Sequence, residues 1–227
     1  MSLLLLPGLL CDAAVWAPLG LPGTVVEYGD ARSLTAMAEV ALAAAPAGRF
    51  AVAGHSMGGR VAFELQRLAP ERVERLALLD TGCAPLAAGV AGEKERAGRL
   101  ALLALAQRDG MRAMAREWAR DMVHPSRIDG PVFDAVLDMF ERRSPGHFEA
   151  QIHALLTRPD ATPQLGQIAC PTLLLTGAQD GWAPPAAHRF MHEQIAGSRL
   201  IVVEDCGHMS PMEAPAAARA ALVDWLA

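Results

Sequence analysis

The sequence predicts an α/β protein of three layers. A mostly parallel sheet of about six strands lies between helices, and a helical block is inserted before its last two strands. Three observations predict it. Short apolar runs alternate with longer helix-periodic stretches, the pattern of βα units. The segment from about Pro85 to Pro163 has helical patterns and no strand-like run. Gly54-His55-Ser56-Met57-Gly58-Gly59 joins an apolar run to a helix-forming stretch, which puts a serine at the apex of a sharp strand-to-helix turn.

The elements follow in order. Leu3-Leu4-Leu5-Leu6 is closed by Pro7-Gly8 and reads as a short buried strand. No Lys or Arg precedes it, and Leu10, not a small residue, precedes Cys11, so it is not read as a secretory leader. Residues 24–28 form a second strand, rich in β-branched and aromatic side chains. A helix over 34–45 starts near Thr35 and is stopped by Pro46. Residues 50–53 form a strand that runs into the serine turn and a helix over 57–68. Residues 75–79 form the fourth strand. The inserted block carries helices at about 93–107, 111–123, 132–142 and 146–156. Strands resume at 172–176 and 200–203, with helices over 185–195 and 214–226. Residues 1–84 and 164–227 are expected to form the core, and 85–163 the insertion.

Composition limits the function classes. The chain has 227 residues, 52% hydrophobic and 20% charged, which suits one well-cored domain. The net charge is −5 and basic residues are scattered, so no nucleic-acid surface is expected. No apolar stretch is long and unbroken enough to span a membrane, and a cytoplasmic location is expected. Cys11, Cys83, Cys170 and Cys206 lie far apart with no C-x-x-C; they read as reduced thiols, with a disulfide between two of them left open. Arg96, Arg99, Arg108, Arg112, Arg116 and Arg120 alternate with Glu93, Glu95, Asp109, Glu117 and Asp121. They read as salt-bridged helix faces rather than an anion-binding surface.

A serine hydroxyl becomes a nucleophile only with a base, a group that orients the base, and donors for the oxyanion. Asp180 stands in the turn after the strand at 172–176, and His208 after the strand at 200–203. In a parallel sheet, loops after successive strands share one edge, so Ser56, Asp180 and His208 are expected to converge there. Asp80, also at a strand end, is the reserve acid; Asp205 is too close to His208 in the chain to orient it from across the site. His55 reads as structural. His188 and His192 are spaced i, i+4, but no third ligand is suggested, so an exposed helix face is preferred to a metal site. No metal or cofactor is expected.

With these residues in place, the chain resembles the α/β-hydrolase-fold proteins over nearly its whole length. Pro7-Gly8-Leu9-Leu10 with Trp16, the Ser56 turn, Leu78-Leu79-Asp80-Thr81, and the Asp180 and His208 loops carry the resemblance. It is similar to small carboxylesterases of the pimeloyl-acyl-carrier-protein methyl ester esterase type. The resemblance implies Ser56 as nucleophile, His208 as general base and then acid, and Asp180 as its orienting partner. It implies the backbone N–H groups of Leu9 and Met57 as oxyanion donors, and the helical block as a cap. Two departures stand out. Pro7-Gly8 replaces the family's usual His-Gly, and the usual opening hairpin is absent, which leaves about six strands with 24–28 on an edge. Leu10, Trp16, Met57, Trp118, Met139 and Trp182 are candidate acyl-pocket residues, with core packing an equal reading. Cys11 is expected to line the site or lie buried.

The implied activity is that of a serine hydrolase acting on a small-molecule carboxylic ester or thioester. Carbon–carbon bond hydrolysis, lactone opening and lyase chemistry use the same constellation, and a ligand receptor on this scaffold is a further alternative. An acyl-carrier substrate is a conceivable partner, through exposed cap arginines. Oligomeric state is not set by the sequence.

Overall fold

The computed structural model describes residues 2–227. Its strands are β1 (Leu3–Leu6), β2 (Thr24–Val25), β3 (Phe50–His55), β4 (Val73–Leu79), β5 (Thr172–Gly177) and β6 (Arg199–Val203). They form one six-stranded sheet in the order β2-β1-β3-β4-β5-β6, and every pairing is parallel. Every residue of β1, β3 and β5 is buried, as a parallel sheet covered on both faces requires. The edge strand β6 is only half-buried.

The helices are α1 (Leu34–Ala44), α2 (Met57–Leu68), α3 (Val90–Asp109), α4 (Met111–Trp118), α5 (Pro131–Glu141), α6 (Pro145–Leu156), α7 (Pro185–Gln194), α8 (Ser210–Glu213) and α9 (Pro215–Leu226). Ser33 caps α1 by accepting the Ala36 N–H at 3.1 Å. Helix α2 carries an apolar stripe (Val61, Ala62, Leu65) buried against the sheet and α1. Helices α3 to α6 fall between β4 and β5.

The strand order reverses between β1 and β3. The loops leaving those two strands therefore lie side by side at the place where open parallel sheets form a crevice. The register aligns Leu6 with Gly54 and His55 with Leu79, so the three loops begin at one level.

Three elements differ from expectation. Strand β2 ends at Val25; beyond it the chain turns so that the Tyr28 hydroxyl donates to the Pro7 carbonyl at 3.1 Å. The helix expected over 111–123 ends at Trp118 and tightens into a 3₁₀ turn over Ala119–Asp121, which points the Met122 carbonyl at the sheet edge. The C-terminal helix α9 runs as expected, but an unexpected one-turn helix, α8, precedes it and stops at Ala214, because Pro215 has no N–H to continue the ladder and disfavours a helical residue before it.

Candidate active site

Ser56 follows β3 directly, with φ 53° and ψ −116°. That conformation is strained for any side chain, and its surroundings hold it. The Ser56 N–H donates to the Leu79 carbonyl at 2.9 Å, and the Thr81 hydroxyl donates to the Ser56 carbonyl at 2.7 Å. The flanking glycines are needed for space. A Cβ on Gly54 would lie 2.4 Å from the Gly58 oxygen, and one on Gly58 would lie 2.0 Å from the Leu6 oxygen.

His208 sits in the turn after β6, nearly sealed from solvent. Its Nε2 is 2.8 Å from Ser56 Oγ, and its Nδ1 is 2.8 Å from Asp180 Oδ2. A carboxylate can only accept, so Nδ1 carries the proton and donates, which leaves Nε2 free to accept from the serine hydroxyl. The other carboxylate oxygen of Asp180 accepts the N–H groups of Trp182 and Ala183 at 2.8 and 2.9 Å. Burial opposes ionisation of Asp180, but the charge and hydrogen bond of His208 and these two N–H groups outweigh it and hold the carboxyl below its usual range.

The rival acids lie elsewhere. Asp80 is fully buried and accepts from Gly177 N–H, from Ser210 N–H and from the Ser210 hydroxyl. Burial and the nearby charge of Asp180 push its carboxyl well above the usual range. Asp205 is exposed to solvent. Of these three acids, Asp180 is the one that contacts the His208 imidazole.

The N–H groups of Leu9 and Met57 have no protein acceptor among the described residues. Both residues line the cavity at Ser56 together with His208. Neighbouring Leu10 has φ 62° and donates its N–H to Gln151 Oε1 of α6 at 2.8 Å, which ties the loop to the inserted helices. The candidate oxyanion donors and the Ser56–His208–Asp180 chain are thus brought to one crevice. An arrangement of this kind can transfer the serine proton to the imidazole and stabilise a developing oxyanion.

The cavity beside Ser56 has a volume of about 70 Å³. A cleft of about 490 Å³ adjoins it, sharing Leu9, Arg99, Trp118 and Trp182. Trp118 and Trp182 meet edge to face with ring centroids 5.9 Å apart. Leu10, Trp16 and Met139 are not brought to the cavity wall. Leu10 and Met139 are fully buried in the core, and Trp16 packs edge-on against His55 at 6.4 Å. Cys11 does reach the cavity; burial, then the charge of Asp12, pushes its thiol up to about 12, so it stays protonated. All four cysteines are free.

Two residues at the site, Glu213 and Gln151, gave no signal in the sequence, and a third, His55, reads there only as structural. The buried Glu213 accepts the N–H groups of Gly207 and Met209 on one oxygen, at 3.1 and 3.0 Å, and that of His124 on the other, at 2.7 Å. Gln151 lies 141 positions from its partner Leu10. His55 places its Nε2 2.8 Å from the His208 carbonyl oxygen. Burial and then the proximity of His208 lower its pKa to about 3, so it is neutral and donates from Nε2.

His188 does not lie on an exposed face. It is fully buried, and its Nε2 accepts the Thr81 N–H at 3.2 Å, because α7 packs on β5 and β6. His192 points away to Ser198. Among the described residues, no group of three or more His, Cys, Asp or Glu side chains could hold a metal ion. No described helix is long and apolar enough to cross a membrane.

Comparison with known proteins agrees with the fold. A pimeloyl-[acyl-carrier protein] methyl ester esterase of Neisseria meningitidis is 29% identical over 172 residues, 75% of this chain and 66% of the relative. A 2-hydroxy-6-oxononadienedioate/2-hydroxy-6-oxononatrienedioate hydrolase of Escherichia coli is 31% identical over 182 residues, 77% of this chain and 61% of the relative. The matched stretch thus spans less than two thirds of either relative's length. A thermophilic esterase structure from Thermogutta terrifontis superposes with a TM-score of 0.86 at 25% identity, covering 100% of this chain and 89% of that one. The model of the alpha/beta hydrolase family matches residues 3–222, and the chain belongs to that family.

Proposed function

We propose that this protein is a serine hydrolase that cleaves a carboxylic ester or thioester through an acyl-enzyme on Ser56. The observation that carries the reading is the continuous hydrogen-bonded chain Asp180–His208–Ser56, with both links at 2.8 Å. His208 Nε2 takes the hydroxyl proton as Oγ attacks the carbonyl carbon. The carbonyl π electrons move to oxygen, and the N–H groups of Leu9 and Met57 receive that oxyanion. Asp180 keeps the imidazole in the tautomer that accepts, then stabilises the imidazolium. The tetrahedral intermediate collapses, the C–O bond breaks, and His208 gives its proton to the leaving alcohol. A water deprotonated by His208 then repeats the sequence on the acyl-enzyme and frees the acid.

The names of the relatives support a small ester or an acyl-carrier substrate. A second reading has one observation in its favour. A relative named as a hydrolase of 2-hydroxy-6-oxo dienoic acids is 31% identical, so the same residues are candidates for carbon–carbon bond hydrolysis. On either reading the inserted helices over 85–163 act as a cap that shapes the acyl pocket.

The test is labelling with a fluorophosphonate probe and turnover of p-nitrophenyl butyrate by wild type and Ser56→Ala. Labelling of wild type alone, with turnover reduced about 10⁴-fold or more in the variant, is expected. Unchanged ester turnover in Ser56→Ala would reject the mechanism. Diketone turnover far above ester turnover would favour the second reading.

A further inference from the structure

The inner wall of the site carries unbalanced positive charge. Most arginines of the inserted helices are neutralised at the surface: Arg108 by Asp109, and Arg112 by Asp138 and Glu141, each with a contact of 2.7 Å. Arg60 and Arg99 differ, because both line the small cavity at Ser56. Arg60 lies in the first turn of α2, four residues after Ser56, and makes no ion pair among the described residues. Its Nη1 donates to the Ala84 carbonyl at 2.8 Å, and its Nε and Nη2 have no protein acceptor. Arg99, on α3, donates its Nε to Glu95 at 2.9 Å, and its two terminal nitrogens have no acceptor among the described residues.

Glu95 cannot balance both. It already accepts two bonds from the buried Arg158, at 2.7 and 2.8 Å. Three guanidinium groups thus cluster around one carboxylate. Burial, followed by repulsion from Arg158, lowers the Arg60 guanidinium to about 10. The remaining acid on the cavity wall is Asp80, whose carboxyl is raised by burial and by Asp180, so it supplies little negative charge. These half-buried guanidinium groups hold free donors at the cavity wall with one carboxylate shared among three, an arrangement that favours a ligand anion there. The planar donor fork fits a carboxylate.

We infer that the acyl group of the substrate is short and ends in a carboxylate, which Arg60 and Arg99 bind while Ser56 attacks the ester at its other end. This rests on the proposed esterase reading and deepens it. The inner cavity is small, about 70 Å³, so the spacer between the two carbonyl carbons is a few methylenes. The leaving alcohol extends into the larger, mostly apolar cleft between Ala91, Leu102, Trp118 and Phe148.

The test is kcat/KM for monoethyl glutarate against ethyl 5-methylhexanoate, its neutral isostere, followed by proton release. Charge-assisted hydrogen bonds predict a preference for the charged ester of roughly ten- to hundredfold. In Arg99→Gln and in Arg60→Gln that ratio falls toward one. The ratio is taken on one enzyme sample, so partial loss of folded protein cancels. Turnover of the neutral ester with a ratio of one or less in wild type overturns the inference and leaves the esterase reading standing. If neither ester is turned over, the esterase reading fails, and calorimetry with Ser56→Ala still reads the subsite. Binding of glutarate but not glutaramide, lost in Ser56→Ala/Arg99→Gln, supports it; equal or absent binding of both overturns it.

Discussion

The imidazole of His55 donates from Nε2 to the backbone carbonyl of His208 at 2.8 Å. The histidine beside the serine therefore holds the main chain of the histidine that contacts it. The two rings lie 5.5 Å apart and tilted, and the Ser56 hydroxyl pairs with His208. Burial lowers its pKa to about 3, which keeps it neutral at neutral pH.

His55→Phe keeps the ring volume and deletes this donor. The His208 carbonyl is then buried without its partner, a loss of about 1–3 kcal/mol. We expect kcat to fall roughly tenfold with KM little changed, since a 1 Å error in the base slows proton transfer more than binding. Steady-state kinetics on p-nitrophenyl butyrate decide it; unchanged kcat would show that the bond does not position His208.

The turn glycines make a second prediction, about space rather than bonding. A Cβ on Gly58 would sit 2.0 Å from the Leu6 oxygen, 2.5 Å from its carbon and 2.7 Å from the Pro7 oxygen. All three are backbone atoms and cannot rotate away. Gly58→Ala must push β1 and its following loop off β3, and with them the Leu9 N–H. Overpacking costs about 1–3 kcal/mol or more, a Tm loss of roughly 2–12 °C for a chain of this size. Differential scanning fluorimetry measures it, and an unaltered Tm would refute the clash.

The convergence of Ser56, Asp180 and His208 at one sheet edge is legible in the sequence because each stands in the turn after a short apolar strand. Parallel pairing then does the rest, whatever the loops look like in detail. The same local signals place β3, the serine turn and α2. The contacts that the sequence does not reveal run between distant segments. Gln151 meets Leu10 only because α6 docks at one particular angle, and helical periodicity carries no docking angle. Leu10, Trp16 and Met139 are apolar near-neighbours of the site in sequence or in pattern. Apolar character does not distinguish a core side chain from a cavity wall, and all three are buried away from the wall. The break at Ala214 lies beside Pro215, a visible signal. Glu213 just before it reads as a surface residue until the His208 loop folds over it.

Glu213 carries a third prediction. It joins the His208 turn, through Gly207 and Met209, to the cap loop at His124, and His208 N–H donates to the Met122 carbonyl at 2.6 Å. Glu213→Gln replaces one acceptor oxygen with an NH₂ group that faces backbone donors. At least one buried N–H loses its partner, at about 1–3 kcal/mol. The expected result is faster amide hydrogen exchange over both 122–124 and 207–209. Faster exchange at neither segment would mean that this carboxylate does not couple them.

The last prediction concerns acid stability. His188 is fully buried and accepts the Thr81 N–H, which requires a neutral ring. Burial lowers its pKa from 6.5 to about 4. Between those values the unfolded chain binds a proton that the folded chain refuses. Stability from this group is therefore complete above pH 6.5, falls as pH drops toward about 4, and changes no further below that. The full loss is on the order of 3 kcal/mol, from about 1.4 kcal/mol for each pKa unit. His188→Gln keeps an acceptor for Thr81 and cannot take up the proton. Urea unfolding at pH 7.5 and pH 4.5 should show a smaller drop in stability for the variant than for wild type. An equal drop in both would place the acid sensitivity in other groups, with His55 as the next to substitute, because its lower folded-state pKa extends the same effect toward pH 3.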